Sequence, residues 1–139
     1  MNETLEMGLR ILLAAALGAI IGFQREKAHR PAGLRTHILI SMGAALFTVV
    51  SVSTAVFPTA DPSRIAAGIV TGVGFIGAGT ILHRTRFVEG LTTAASIWVI
   101  AAVGMAAGAG LYIISVVSTV IVFLVLLLPH PKDGDHVHD

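Results

Sequence analysis

Apolar residues run through the chain in five blocks separated by short polar stretches, at about residues 5–23, 38–57, 65–82, 91–108 and 111–128. Each block is close to the roughly 20 residues that carry a helix across a hydrocarbon core about 30 Å thick. Backbone in lipid must satisfy its own hydrogen bonds, so the pattern predicts an all-α polytopic membrane helix bundle with about five transmembrane helices. Basic residues collect between the blocks. Arg25, Lys27, Arg30 and Arg35 lie in the first connection, Arg84 and Arg86 in the third and Lys132 in the tail, against Arg64 alone in the second. This bias puts the odd connections and the C-terminus in the cytoplasm and the N-terminus outside.

Composition points the same way: 55% of the 139 residues are hydrophobic and 12% charged, with a mean hydropathy of +0.87, outside the range of soluble domains. Residues 1–129 therefore read as one transmembrane domain and 130–139 as a polar cytoplasmic tail whose His130, His136 and His138 are solvated. The lipid bilayer is the first partner, and a net charge of +1 gives no reason to expect nucleic acid. Absence of cysteine removes disulfides, thiol catalysis and thiolate metal sites. The opening run MNETLEMGLRILLAAALGAIIGF has no cleavage pattern and reads as a retained span. Within it, Arg10 is expected to snorkel outward or pair with Glu3 or Glu6. Asp61-Pro62-Ser63 has the composition of a helix start.

The stretch GVGFIGAGT, Gly72 to Thr80, contains Gly-x-Gly-x-x-Gly. A dinucleotide loop needs a strand before it, a helix after it and an acid about 20 residues onward, whereas these glycines lie inside an apolar block. At about 100° per residue, Gly68, Gly72 and Gly79 share one sector of a helix, and Gly74 and Gly77 the opposite one. Small residues let helices approach closely in lipid. The third helix is therefore expected to be the central one, clasped on both faces, with Gly18/Gly22 and Gly104/Gly108 as candidate partners. The rival reading has the glycines unwind this helix around an ion.

A second pattern lies in the connections. GFQREKAHRPAGLRTH from Gly22 aligns without a gap with GTILHRTRFVEGLTTA from Gly79, an offset of 57 residues. This predicts a parallel repeat of helices 1–2 and 3–4, with Gly-Leu-x-Thr at Gly33 and Gly90 opening each returning helix. The glycine sets the turn, and Thr36 and Thr93 are placed to satisfy free amides. Two helix amino termini among Arg25, Arg35, Arg84 and Arg86 also favour an anion or an acidic partner group. Glu26 and Glu89 read as local ion-pair partners, and His29, His37 and His83 as solvated loop residues.

Three blocks in order, AGLRTHILISMGAALF from Ala32, RIAAGIVTGVGFIGAGTIL from Arg64 and GLTTAASIWVIAAVGMAAGAG from Gly90, closely resemble the membrane domain of the MgtC/SapB family, and the similarity runs from Gly18 to Tyr112. The resemblance implies a multi-pass protein of the bacterial inner membrane, linked to magnesium limitation and virulence-related survival, and in some members to inhibition of the membrane ATP synthase. By the matching motifs, Arg25, Glu26, Gly33, Arg35, Thr36, Glu89, Gly90, Thr92 and Thr93 are the positions expected to be functionally sensitive. Thr92 stands where the resemblance leads one to expect asparagine, and threonine lacks the amide's donor pair. The sequence ends soon after the fifth block, so functions resting on the soluble C-terminal domain of the best-known members are not expected to transfer.

Magnesium wants oxygen ligands in near-octahedral array, and ionisable residues inside a membrane are the usual mark of an ion pathway. All the acids, Glu3, Glu6, Glu26, Asp61, Glu89, Asp133, Asp135 and Asp139, lie at block ends, in connections or in the tail. The interior hydroxyls Thr48, Ser51, Ser53, Thr71, Thr80 and Ser96 are expected to bond to other helices or to their own backbone. The sequence therefore predicts a regulator or interaction partner of membrane transport or ATPase complexes. A transporter of magnesium or another small ion, with its path at a repeat or subunit interface, is the alternative, and a membrane domain that forms homo-oligomers is a third possibility beside the two. No cofactor is expected, and magnesium is a candidate ion with no assigned ligands. Without a nucleotide motif or a nucleophile–base pair, an enzyme is not expected.

Overall fold

The structure is a computed structural model and describes residues 2–53, 58, 59, 61–83 and 88–129. It is an all-α bundle: α1 (Glu3–Lys27), α2 (Leu34–Val52), α3 (Ser63–Ala78), α4 (Leu91–Gly108) and α5 (Tyr112–Leu126). Just ahead of α4, the two-residue strands β1 (Leu82–His83) and β2 (Val88–Glu89) pair antiparallel. Helices α1, α2 and α4 are long and apolar enough to cross a membrane, at 25, 19 and 18 residues. The other two are shorter than the blocks 65–82 and 111–128 led us to expect, at 16 and 15 residues. Thr80 stops α3 by bonding back to Gly77, its hydroxyl 2.7 Å from that carbonyl, and Gly110, at φ +81°, turns the chain into α5. The polar tail and Arg84 and Arg86 lie outside the described residues.

The core sits on α4, not on α3. Ile97, Ile100 and Val103 of α4 are all but sealed from solvent. Ile100 and Val103 meet Leu17 and Ile21 of α1, with Val122, Phe123 and Leu126 of α5 packed over them. On the other side, α2 is gripped between α1 and α4. A Cβ built on Gly18 lies 2.6 Å from the carbonyl oxygen of His37, and one on Gly22 lies 2.7 Å from the Cα of Leu34. A Cβ on Gly104 collides with the carbonyl oxygen of Ser41, and one on Gly108 lies 2.6 Å from that of Ala45. Both glycine pairs singled out in the sequence thus do bring backbones together, but the helix they hold is α2.

This corrects the expectation of a central third helix. Ile69 and Gly77 are the only buried residues of α3. A Cβ on Gly68, Gly72 or Gly74 meets nothing within 4 Å, one on Gly77 lies 3.4 Å from the carbonyl oxygen of Ala94 in α4, and Gly79 caps the helix. The reason lies in α2: its face at His37, Ser41, Ala44, Ala45 and Val49 is small enough to be approached from two sides, a feature hidden by attending to glycine alone. Between α2 and α3 an apolar groove of about 700 Å³ stays open, with Gly43, Gly68 and Gly72 in its wall.

Polar groups are satisfied largely within the fold. Arg10 pairs with Glu6 at 2.6 Å, as expected, and also reaches the hydroxyl of Tyr112 and the carbonyl of Gly108. Asp61 starts α3 by accepting from the amide and hydroxyl of Ser63, at 2.9 and 2.8 Å, and those donors hold its carboxyl below the usual range. The hydroxyls of Thr48, Thr71 and Ser96 bond to carbonyls of their own helices, and Ser51 ties α2 to Pro62 ahead of α3.

The packing makes two glycines respond with opposite sign. Gly104→Ala forces a methyl against immovable backbone and should cost about 1–3 kcal/mol. Gly72→Ala enters open space on a helix and should be neutral or stabilising by up to about 1 kcal/mol. Thermal unfolding of the two variants in one mild detergent checks this, and equal destabilisation would contradict the observed arrangement.

Candidate functional site

The sequence-predicted residues gather where α1 ends and α2 and α4 begin. Arg25, in the last turn of α1, is only 3% exposed. Its Nη2 donates to the carbonyl of Pro31 at 3.0 Å and to the hydroxyl of Thr93 in the first turn of α4. Its Nε is buried without a partner. Thr93, expected to cap free amides, instead accepts from this guanidinium. Glu26 caps α2: its carboxylate accepts from the amide of Leu34 at 2.9 Å, where an ion pair was expected. A Cβ on Gly33 would lie 2.8 Å from the Glu26 carboxylate, so a side chain there has to displace that carboxylate.

The turn between α1 and α2 stores strain that these bonds hold in place. His29 and Ala32 adopt φ of +53° and +57°, a conformation costing roughly 1–2 kcal/mol for a residue with a Cβ. Arg25 on Pro31 and Glu26 on Leu34 bracket Ala32 and fix it. Gly90, the residue before α4, has φ +91°, and a Cβ there would run into the carbonyl of Thr80. It is therefore a position only glycine fits.

His37 was the residue that sequence reasoning missed. It is fully buried, with Nδ1 3.0 Å from the carbonyl of Gly33 and Nε2 3.2 Å from the hydroxyl of Ser96. A carbonyl can only accept, so Nδ1 carries a proton. Ser96 in turn lies 2.8 Å from the carbonyl of Thr93. The chain Gly33–His37–Ser96–Thr93–Arg25 thereby ties α1, α2 and α4 together at one end of the bundle. The signal was available in the spacing: His37 and Ser41 stand one turn apart at the head of an apolar block, where a solvated loop was assumed. Of the remaining positions, Arg35, Thr92 and Glu89 are exposed at the rim and Thr36 is half-buried. Glu89 pairs with Leu82 in the strand ladder.

Removing the hydroxyl that receives Arg25 should be felt as the loss of a hydrogen bond to a charged group, about 1.5–3 kcal/mol. Thr93→Val is expected to show that loss in thermal or denaturant unfolding and Thr93→Ser to restore most of it. A valine variant as stable as the parent would show that Arg25 is held by other means.

The sequence profile of the MgtC family matches residues 11–133, from within α1 to beyond α5. The chain is 50% identical over 133 residues to the Escherichia coli K12 protein called "Putative magnesium transporter YhiD", covering 91% of this chain and 62% of that protein. It is 48% identical over 118 residues to Protein MgtC of Brucella abortus strain 2308, covering 85% and 49%. Protein SrpB of Synechococcus elongatus is 41% identical over 137 residues, covering 90% and 75%. The chain thus spans about half to three fifths of the length of these first two relatives. No solved structure matches it. Profile, relatives and the apolar helices α1, α2 and α4 together make this a membrane protein that belongs to the MgtC family.

Proposed function

We propose that the chain is a magnesium-linked, multi-pass protein of the bacterial inner membrane that acts by docking on other membrane proteins, with transport or ATPase complexes as the partner class. The link to magnesium rests on the family and on the name carried by the Escherichia coli relative. The observation that carries the docking reading is the glycine-lined groove. Two glycine ridges are closed on α2, whereas Gly43, Gly68 and Gly72 border a groove that no part of the described chain enters. Close helix approach in lipid is what such a ridge allows. A helix of a partner complex, or of a second copy, meets that requirement.

Conduction through the chain's own interior fits less well. The seams between α1, α2 and α4 are closed by backbone contact at Gly18, Gly104 and Gly108, and their polar end holds a buried guanidinium that repels a divalent cation. The carboxylates of Glu6, Glu26 and Asp61 are engaged with Arg10, Leu34 and Ser63. The relative named as a transporter keeps the alternative in view, and one experiment separates the two. Liposomes holding the protein and an enclosed magnesium indicator should stay as tight as empty ones. In cells, Gly72→Leu should leave the protein folded while cutting co-purification of membrane ATPase by fivefold or more. Magnesium entry that falls with Glu26→Gln or Glu89→Gln would reverse the conclusion.

A further inference from the structure

The groove between α2 and α3 is one leaflet deep and carries a cation at its mouth. Along α3 its wall runs from Arg64 to Ile76, about 18 Å of helix at about 1.5 Å per residue. Along α2 it runs from Phe47 to Leu39, about 12 Å on the same rise. Half of a hydrocarbon core about 30 Å thick is about 15 Å, which these lengths match. Gly43, Gly68 and Gly72 give the groove its width, since a Cβ on any of them meets nothing within 4 Å.

Among the described residues, the wall is apolar throughout except for Arg64, in the first turn of α3. Arg64 is exposed and makes no ion pair with a described carboxylate. Asp61 is near enough to feel its charge, but the oxygens of Asp61 accept from the amide and hydroxyl of Ser63 instead. A planar guanidinium at the end of an apolar wall suits phosphate oxygens, which its fork can grip in pairs. Size then separates the occupants. A helix about 10 Å across and about 18 Å long fills roughly 1,400 Å³, twice the groove's volume of about 700 Å³. A helix can seat only its ridge there, whereas an acyl chain lies wholly inside.

We propose that in the unpartnered protein this groove holds one acyl chain of a diacyl phospholipid whose phosphate sits on Arg64. The apolar walls take the chain, the glycines make room for it, and the arginine fixes the headgroup at the mouth. By the charge bias of the connections, that mouth opens toward the outer leaflet. The inference deepens the docking reading and rests on it in one respect: a partner helix that closes on Gly68 and Gly72 has to displace the lipid first.

Native mass spectrometry of the full chain in a neutral detergent reads the occupant directly. Offered phosphatidylglycerol or the diacylglycerol with the same chains, the parent should retain one phosphatidylglycerol per chain, at least fivefold more than diacylglycerol. Arg64→Gln should bring phosphatidylglycerol down to the diacylglycerol level, and Arg64→Lys should recover part of it. Gly72→Leu, which fills the groove, should lose both lipids. Arg64→Gln should also capture membrane ATPase from cells at least as well as the parent, because the glycine ridge is intact and no lipid blocks it. A parent that retains the phospholipid as stated but captures no ATPase would sink the docking reading and leave the lipid site standing. Equal retention of the two lipids by the parent, a comparison that needs no variant to fold, would overturn the proposal. Phosphatidylglycerol held as tightly by Arg64→Gln as by the parent would do the same. Lipid-free dimers in place of lipid-bound chains would overturn it too and give the groove to a second copy.

Discussion

Helix α2 is held from two sides by helices that turn glycines toward its backbone, and this close approach governs the rest of the bundle. Gly18 and Gly22 of α1 and Gly104 and Gly108 of α4 place backbone on backbone along its length. Lipid tails are as apolar as leucine, so association of helices in a membrane relies on contact area and on hydrogen bonds between them. Glycine supplies the contact, since every Cβ removed lets the axes approach. The facing residues of α2 must then be small or polar, and His37, Ser41, Ala44 and Ala45 meet that condition. The larger side chains that remain, Leu17, Ile21, Ile100 and Val103, are displaced to the seam that α5 covers.

At the polar end of these closely packed helices, a chain of direct bonds joins them. Arg25, Thr93, Ser96, His37 and Gly33 each hand a donor or acceptor to the next. Carbonyls of the strained turn at Ala32 take part, so the bonds that order the junction also hold a left-handed backbone that would otherwise relax. Among the described residues no carboxylate lies within ion-pair distance of Arg25, and its Nε, like the Oε1 of Gln24 and the Oγ of Ser41, is buried without a partner. The close seams and the cation together also explain why an ion path down the middle of these three helices is an unfavourable reading.

Much of this was legible in the sequence. The five apolar blocks marked five helices, Asp61-Pro62-Ser63 marked the start of α3, Arg10 found Glu6, and Gly18/Gly22 and Gly104/Gly108 were picked out as contact ridges. The motif residues Arg25, Glu26, Gly33, Gly90 and Thr93 do come together at one end. What failed was the choice of central helix. Angular bookkeeping shows which faces of a helix are bare but cannot say which bare face is used, because that depends on the shape of the partner. Gly68 and Gly72 satisfy the same spacing as Gly104 and Gly108 and yet face an open groove. His37 was misplaced for a related reason: its surroundings in the sequence are polar on one side only, and its burial follows from α1 and α4, which lie far from it along the chain. The strand pair at Leu82 and Glu89 left no periodic signal at all, being two residues long on each side.

The account turns on α2, not α3, being the gripped helix. The cysteine-free chain allows oxidative cross-linking of introduced pairs in native membranes to measure that directly. Ala45 and Ala107 are packed in one fully buried cluster, so Ala45→Cys with Ala107→Cys should form a disulfide rapidly and nearly completely, while Gly72→Cys with Ala15→Cys, half-buried on α1 one turn from Gly18, should not. Fast closure of the second pair and slow closure of the first would contradict it.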